Sequence, residues 1–378
     1  MSKPSPLFTP FTLNGVTFPN RFVMPAMQRG YCVDGRPTDA LAAYYRRRAE
    51  GGVSLIIGES CAIDHPSATR QKNSAWMTAA TRDGWAKCVD EVHEAGARML
   101  IQLWHEGALR NADDGGTISP SGMVSPIKAN GRPATLDELH ELRDAYVRGA
   151  LDAQAIGAEG VEVHAAHGYL LDQFLWPESN RRDDGYGGED IADRVRLPAE
   201  IVAAIRQACG PNFLISLRFS QWKEVDYGAR VARTPEELTI FAHILMAAGL
   251  DIIHASARRF WEPEWEGSDR GIAGWAKQVG GLPVIAVGSV GLDTDVMTTF
   301  IEAKDPKPRV VEAIDELERK LVAGEFDMVA VGRALIGDPD FVKKVEAGDL
   351  TGIRLFQRAD LGALEWDVSI VEEAHAAE

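Results

Sequence analysis

Residues 160–188 read GVEVHAAHGYLLDQFLWPESNRRDDGYGG. The stretch opens as a strand, GVEVHAA, and breaks into polar residues where that strand should end. A mostly apolar run of this length reads as a strand buried on both faces, as in a parallel sheet covered by helices. His164 and His167 stand three apart at its carboxyl end, and Tyr169 follows two residues later. In a parallel α/β sheet the carboxyl ends of the strands are where chemistry collects.

Reading outward, similar short runs recur along the chain. Upstream are RFVMPAM (21–27), VSLIIGES (53–60) and RMLIQLW (98–104). Downstream are FLISLRFS (213–220), LDIIHAS (250–256), PVIAVGS (283–289) and FDMVAVGR (326–333). Helical segments are clearest at 137–156, 190–208, 235–248 and 310–322. Asp190 precedes one of them. Thr234-Pro235 sets an N-cap before a proline at the first helical position, with Glu237 available for a capping box. Eight strands alternating with helices predict an α/β fold of the (β/α)8 TIM-barrel class, although a doubly wound open sheet gives the same alternation.

Composition sets the bounds. The chain has 378 residues, 45% of them apolar, enough for a large core. No compositional break marks a second domain, so 1–378 reads as a single domain with long βα loops. The loops are 105–135 and 257–275, and both leave carboxyl ends of strands. The charged segment 302–325 reads as a solvated outer helix. A net charge of −16 disfavours nucleic acid and anionic membranes as partners. The N-terminus has no apolar signal core, and no run is long enough to span a membrane. Cys32, Cys61, Cys88 and Cys209 are scattered without a CxxC pair. That spacing fits a reducing, cytoplasmic compartment and offers no zinc or iron–sulfur motif.

If the chain entered a helical turn after the fourth strand, His164 and His167 would face the same way. Two imidazoles could then aim N–H groups at one acceptor atom. The competing readings are a metal site completed by a third ligand, and histidines that merely bond to backbone.

The ordered set His164-x-x-His167, Gly168-Tyr169-Leu170, then Asn180-x-Arg182-x-Asp184-x-Tyr186-Gly187-Gly188 resembles the central signature of the Old Yellow Enzyme family of FMN-dependent ene-reductases. The resemblance runs through nearly the whole chain. LFTPFTLNGVTFPNRFVMPAMQRG resembles the family's opening strand, IQLWHEG its flavin-contacting third strand and SLRFS its fifth. VGS and VGRALIGDPDF resemble the phosphate-binding strands.

The resemblance implies that FMN is the cofactor and NAD(P)H the hydride donor. It places Pro25 and Ala26 against the flavin and Gln102 at its pyrimidine edge. Arg218 would lie near N1, where reduction builds negative charge. Gly288, Ser289, Gly332 and Arg333 would hold the phosphate. Gln28 stands where the family usually carries Thr or Cys, and Ser60 where it usually carries Gly or Ala. His164 and His167 would bind the carbonyl oxygen of an activated alkene, hydride would pass to its β-carbon, and Tyr169 would protonate its α-carbon.

The chain resembles the short, single-domain branch, without the iron–sulfur cluster and second dinucleotide domain of larger members. The segment between the seventh and eighth strands is longer than usual for that branch. Three alternatives stand beside this reading: a dehydrogenase or demethylase of the same family, a flavin-free metal-dependent hydrolase, and a non-enzymatic flavin binder. A homo-oligomer is left open.

Overall fold

The computed structural model describes residues 5–365, apart from residue 112. Eight parallel strands close into one barrel: β1 (Phe22–Met24), β2 (Leu55–Ile63), β3 (Arg98–Trp104), β4 (Gly160–His167), β5 (Leu214–Lys223), β6 (Ile252–Ser256), β7 (Val284–Val287) and β8 (Met328–Ala330). Each pairs with the next, and β8 returns to β1 with Val329 opposite Phe22. The doubly wound alternative is therefore excluded, because an open sheet has no such closing pair.

Crossover helices cover the outside: α1 (Asp39–Glu50), α2 (Arg82–Glu94), α3 (Leu136–Ala155), α4 (Ile191–Cys209), α5 (Pro235–Ala247), α6 (Ile272–Gly280) and α7 (Val310–Val322), with α8 (Phe341–Ala347) after the last strand. Start signals work as expected at α4, where Asp190 accepts from Ala192 N–H at 2.9 Å. At α5 Thr234 accepts from Glu237 N–H, but the Glu237 carboxylate turns to Arg233 N–H at 2.6 Å instead of closing a capping box. The full box belongs to α3, between Thr135 and Glu138. The outer helix α7 buries one stripe, including Val310, Ala313, Ile314 and Leu317, and leaves its other faces wet.

Side chains alternate along a strand, so every second residue enters the barrel. The inward series grade from apolar to polar. Leu100, Gln102 and Trp104 run up β3; Leu214, Ser216 and Arg218 run up β5; Ile252, His254 and Ser256 run up β6. The lowest members join Val23, Leu55, Ile57, Ile285 and Met328 in one apolar cluster. A short antiparallel hairpin, Phe11–Leu13 with Val16–Phe18, precedes β1 and adds Phe18 to that cluster. The amino end of the barrel is thus packed shut, and the polar members rise toward the carboxyl end.

Candidate active site

The middle layer of the barrel is a hydrogen-bonded network. Glu162, fully buried on β4, accepts from Gln102 Nε2 at 2.8 Å, Ser216 Oγ at 3.0 Å and His254 Nδ1 at 2.7 Å. Burial would raise its pKa, but His254, Arg218 and Gln102 outweigh that and hold it at about 2. Gln102 Oε1 in turn accepts from Ser60 Oγ at 2.7 Å. The Gln102 amide is therefore fixed at both ends, with one N–H and one lone pair left for a ligand above.

Above this layer opens a cavity of about 380 Å³, within the usual range for small-molecule sites. All thirteen residues expected from the sequence line it: Pro25, Ala26, Gln28, Ser60, Gln102, His164, His167, Tyr169, Arg218, Gly288, Ser289, Gly332 and Arg333. Gln28 sits at the exposed rim, its amide 3.4 Å from Ser74 Oγ.

The histidines do not reach the cavity by a helical turn. β4 runs on through His167, and its register against β5 breaks between Ala165 and His167, where two residues on β4 span four on β5. His167 takes φ 65°, a left-handed conformation rare outside glycine. Bulge and reversed φ together bring the rings to 5.3 Å and perpendicular, and the short helix Leu170–Leu175 begins only after Tyr169. Tyr169 stands edge-on to His164 at 5.0 Å. His167 stacks on Trp222 at 4.7 Å, and its Nε2 lies 2.9 Å from Ser256 Oγ.

Both imidazoles are neutral. Burial, reinforced by the charge of Arg218, lowers His164 to about 3 and His167 well below its ordinary value. His164 Nδ1 accepts from Ala166 N–H at 3.3 Å, which leaves the ring proton on Nε2. Among the described residues, no group of three or more His, Cys, Asp and Glu is arranged to hold a metal ion. The metal reading therefore lacks its third ligand.

The cofactor-binding expectations meet a wall that suits them. Arg218 is 8% exposed, donates to Ala26 O and Ser256 Oγ at 3.3 Å, and keeps its Nε buried without a partner. An orphaned guanidinium N–H beside a cavity fits an acceptor on a bound anionic ring system. At the strand ends of β7 and β8, no hydrogen bond among the described residues uses the N–H of Ser289 or Gly332. A Cβ on Gly288 would stand 2.8 Å from Phe260 N and 2.9 Å from Ala257 O, so only glycine lets the loop after β6 cross here. Arg333 points into the connection after β7, donating to Thr299 Oγ1 at 2.5 Å and to Thr294 O. These features fit FMN with its phosphate at the β7–β8 end.

The rest of the sequence signature is a clamp. Asn180 Nδ2 bonds Phe174 O and Tyr186 O, both at 2.8 Å, closing the loop after β4. Arg182 pairs with Asp184 and reaches Ala134 O at 2.6 Å, tying this loop to the segment 105–135. A Cβ on Gly187 would come within 2.5 Å of Asn180 Oδ1. No described residue of that long segment lines the cavity, whereas the loop after β6 contributes Ala257 and Arg258.

Several wall residues escaped the sequence reading: Trp104, Trp222, Glu224, Ser256, Arg258 and Asp295. Trp104 and Ser256 follow the inward period of β3 and β6 and were findable. Asp295 lies in the long connection after β7, where it caps the short helix Val296–Ile301 and pairs with Arg258 at 2.8 Å. The added length there forms part of the cavity wall.

Residues 6–351 match the family described as NADH:flavin oxidoreductase / NADH oxidase. The chain is 33% identical to an NADH oxidase of Thermoanaerobacter brockii over 95% of its own length and 53% of that protein's. It is 31% identical to an NADPH dehydrogenase of Bacillus licheniformis, covering 89% of this chain and 93% of the relative. The chain thus spans about half the length of the first relative and nearly all of the second. Among solved structures, morphinone reductase in complex with tetrahydroNAD superposes with a TM-score of 0.77 at 25% identity, covering 95% of this chain and 94% of that one. An Old Yellow Enzyme homologue from Zymomonas mobilis shares the fold at a TM-score of 0.76 and 23% identity. Barrel, cavity and matches agree that the chain belongs to the NADH:flavin oxidoreductase / NADH oxidase family, the Old Yellow Enzyme family, whose chemistry uses FMN with NADH or NADPH.

Proposed function

We propose that this chain is an NAD(P)H-dependent ene-reductase acting on α,β-unsaturated carbonyls and similar activated alkenes. The observation that carries the reading is the grouping of two neutral imidazoles and one phenol on a single cavity wall, His164 5.3 Å from His167 and 5.0 Å from Tyr169. Bound FMN supplies hydride, taken from the nicotinamide and delivered to the β-carbon.

The protein's own part is electrostatic and positional. His164 donates from Nε2 to the substrate carbonyl oxygen, where enolate charge develops, and His167 supports it from the other side. Neutral rings keep that donation independent of pH through the physiological range. Trp104 and Trp222 shape the slot, Trp104 edge-on to Tyr169 at 5.4 Å. Tyr169 holds a proton for the α-carbon; burial raises its pKa, so the phenol stays protonated until a strongly basic carbon meets it. Arg218, Gln102, Pro25, Ala26, Gln28 and Ser60 position the flavin ring, and Gly288, Ser289, Gly332 and Arg333 its phosphate. The reading extends to one domain over 1–378, supported by the single barrel and the coverage of the Bacillus relative. It extends also to a cytoplasmic setting, supported by four free cysteines. No helix among the described residues is long and apolar enough to cross a membrane.

Tyr169→Phe tests the assignment. Reduction of the flavin by NAD(P)H stays near the wild-type rate, and reoxidation by cyclohexenone slows by about 10²-fold or more, as for a removed general acid. Reoxidation by molecular oxygen is unchanged. A variant slowed only in the reductive half, with the enone step intact, overturns the role of Tyr169.

A further inference from the structure

Burial that keeps the Tyr169 phenol protonated creates a second requirement. Once the proton has gone to carbon, a half-buried tyrosinate must be reprotonated before the next cycle. One acid stands against it. Glu224 follows directly on β5 and donates its N–H to His167 O at 3.2 Å, which sets it beside the turn that carries Tyr169. Glu224 and Tyr169 line the same cavity, and the Glu224 carboxyl lies near enough to act on the Tyr169 hydroxyl. Glu224 is half-buried, so water reaches it from the rim of the cavity.

We propose that Glu224 is the proton source behind Tyr169, returning a proton to the tyrosine oxygen after each transfer to substrate and recovering its own from solvent. This rests on the reading that Tyr169 protonates the substrate. The steps balance without a further reagent: the Tyr169 O–H bond breaks as the α-carbon C–H bond forms, then the Glu224 O–H bond breaks as the tyrosine O–H re-forms. Water last restores the carboxylic acid. Burial lifts Glu224 to about 7, against the opposing pull of the Tyr169 hydroxyl, so the acid form is available near neutrality. Glu224 acts through Tyr169 and does not contact substrate.

The groups around the pair come from several elements. Glu106 beyond β3 and Arg218 on β5 act on Tyr169, and Tyr227 in the loop after β5 senses Glu224. His164, His167 and Arg258 share the wall. Both histidines are held well below neutrality, and of the three glutamates lifted to about 7, Glu59, Glu224 and Glu264, only Glu224 lines the cavity, so a limb near pH 7 that vanishes in Glu224→Gln belongs to Glu224.

Glu224→Gln, Glu224→Asp and Tyr169→Phe in the FMN-loaded protein separate the ideas. In Glu224→Gln the first enone turnover after pre-reduction runs near the wild-type rate, because Tyr169 still carries its proton. Steady-state turnover falls roughly tenfold or more, a modest share of what a general acid contributes. It gains a solvent isotope effect and is restored by imidazolium buffer; Glu224→Asp recovers part of the rate. Wild-type turnover falls as pH rises through about 7, where Glu224 loses its proton, and Glu224→Gln lacks this limb. Carbon-13 NMR of glutamate-labelled protein shows carboxyls titrating near 7, of which one disappears in Glu224→Gln while those of Glu59 and Glu264 remain. Full steady-state turnover in Glu224→Gln, or a loss that small acids do not restore, overturns the relay while Tyr169→Phe remains slow in its first turnover. A fast first turnover in Tyr169→Phe overturns the underlying reading instead.

Discussion

Asp172 and Lys223, both fully buried, pair at 2.7 Å behind the turn that carries His167, Gly168 and Tyr169. The second oxygen of Asp172 accepts from Gly168 N–H at 2.6 Å, and Lys223 also donates to Gln221 O at 3.0 Å. The pair joins the short helix after β4 to the end of β5, and so fixes the left-handed His167 from below.

Lys223→Met removes the cation and leaves Asp172 buried. Burial already pushes that carboxyl up to about 6 against the pull of Lys223. The variant is expected to lose about 3–5 kcal/mol of stability, as for other broken buried pairs, and to slow the enone step more than flavin reduction. Urea unfolding and stopped-flow kinetics measure the two; a loss under about 1 kcal/mol would show that the pair adds little to the native state.

Arg218 offers its unpaired Nε and its charge to the cavity. The protein is expected to release one non-covalent FMN on acid precipitation. Arg218→Leu should weaken FMN binding roughly 10–100-fold, the value of charge-assisted bonds of about 1.5–3 kcal/mol. It should also shift the flavin midpoint potential to more negative values. Fluorescence titration of the apoprotein and a spectroelectrochemical titration read these; covalently held flavin, or an unchanged potential, contradicts the assignment.

His164→Ala and His167→Ala each remove one donor to the developing oxyanion. Losses of about 10²–10³ in enone reduction are expected, along with weaker binding of phenolic ligands. The same pair would serve the nicotinamide amide, so flavin reduction is expected to slow as well. Wild-type enone rates in both variants would make the histidines structural.

Acid stability follows from opposing shifts. Burial holds His65, His105, His164, His167 and His254 below their ordinary 6.5, so the unfolded chain binds more protons once pH falls below 6.5, and stability drops. Burial also lifts Glu59, Glu224 and Glu264 to about 7 and Asp172 to about 6. For these the folded state binds more protons down to their unfolded values near 4, which offsets the histidines over the same interval. Unfolding free energy is therefore expected to stay level from about pH 6.5 to about 4.5, then fall steeply. A sharp loss beginning at pH 6 in urea titrations would show that the raised carboxyls are absent.

Much of the site was legible in residue order. The inward period of β3, β5 and β6 selects Gln102, Arg218 and Ser256, and the break after GVEVHAA marks the turn that holds Tyr169. The two histidines meet without a helical turn at 164–167, because β4 bulges against β5, and a bulge depends on the partner strand's register. The same cause hid Glu224 from the sequence reading. β5 continues past Ser220 to Lys223 only because β4 pairs with it there.

The sequence by itself determined the alternation of buried strands and amphipathic helices, the inward polar series and the chemistry-bearing residues, since periodicity and residue type are local properties. Only the tertiary structure decided which of those residues meet. Closure of β8 on β1, the left-handed turn at His167, the Asp172–Lys223 clamp and the approach of Glu224 to Tyr169 all join positions far apart in the chain or depend on register. Such contacts arise from the packing of one strand against another, which no single stretch of sequence specifies alone.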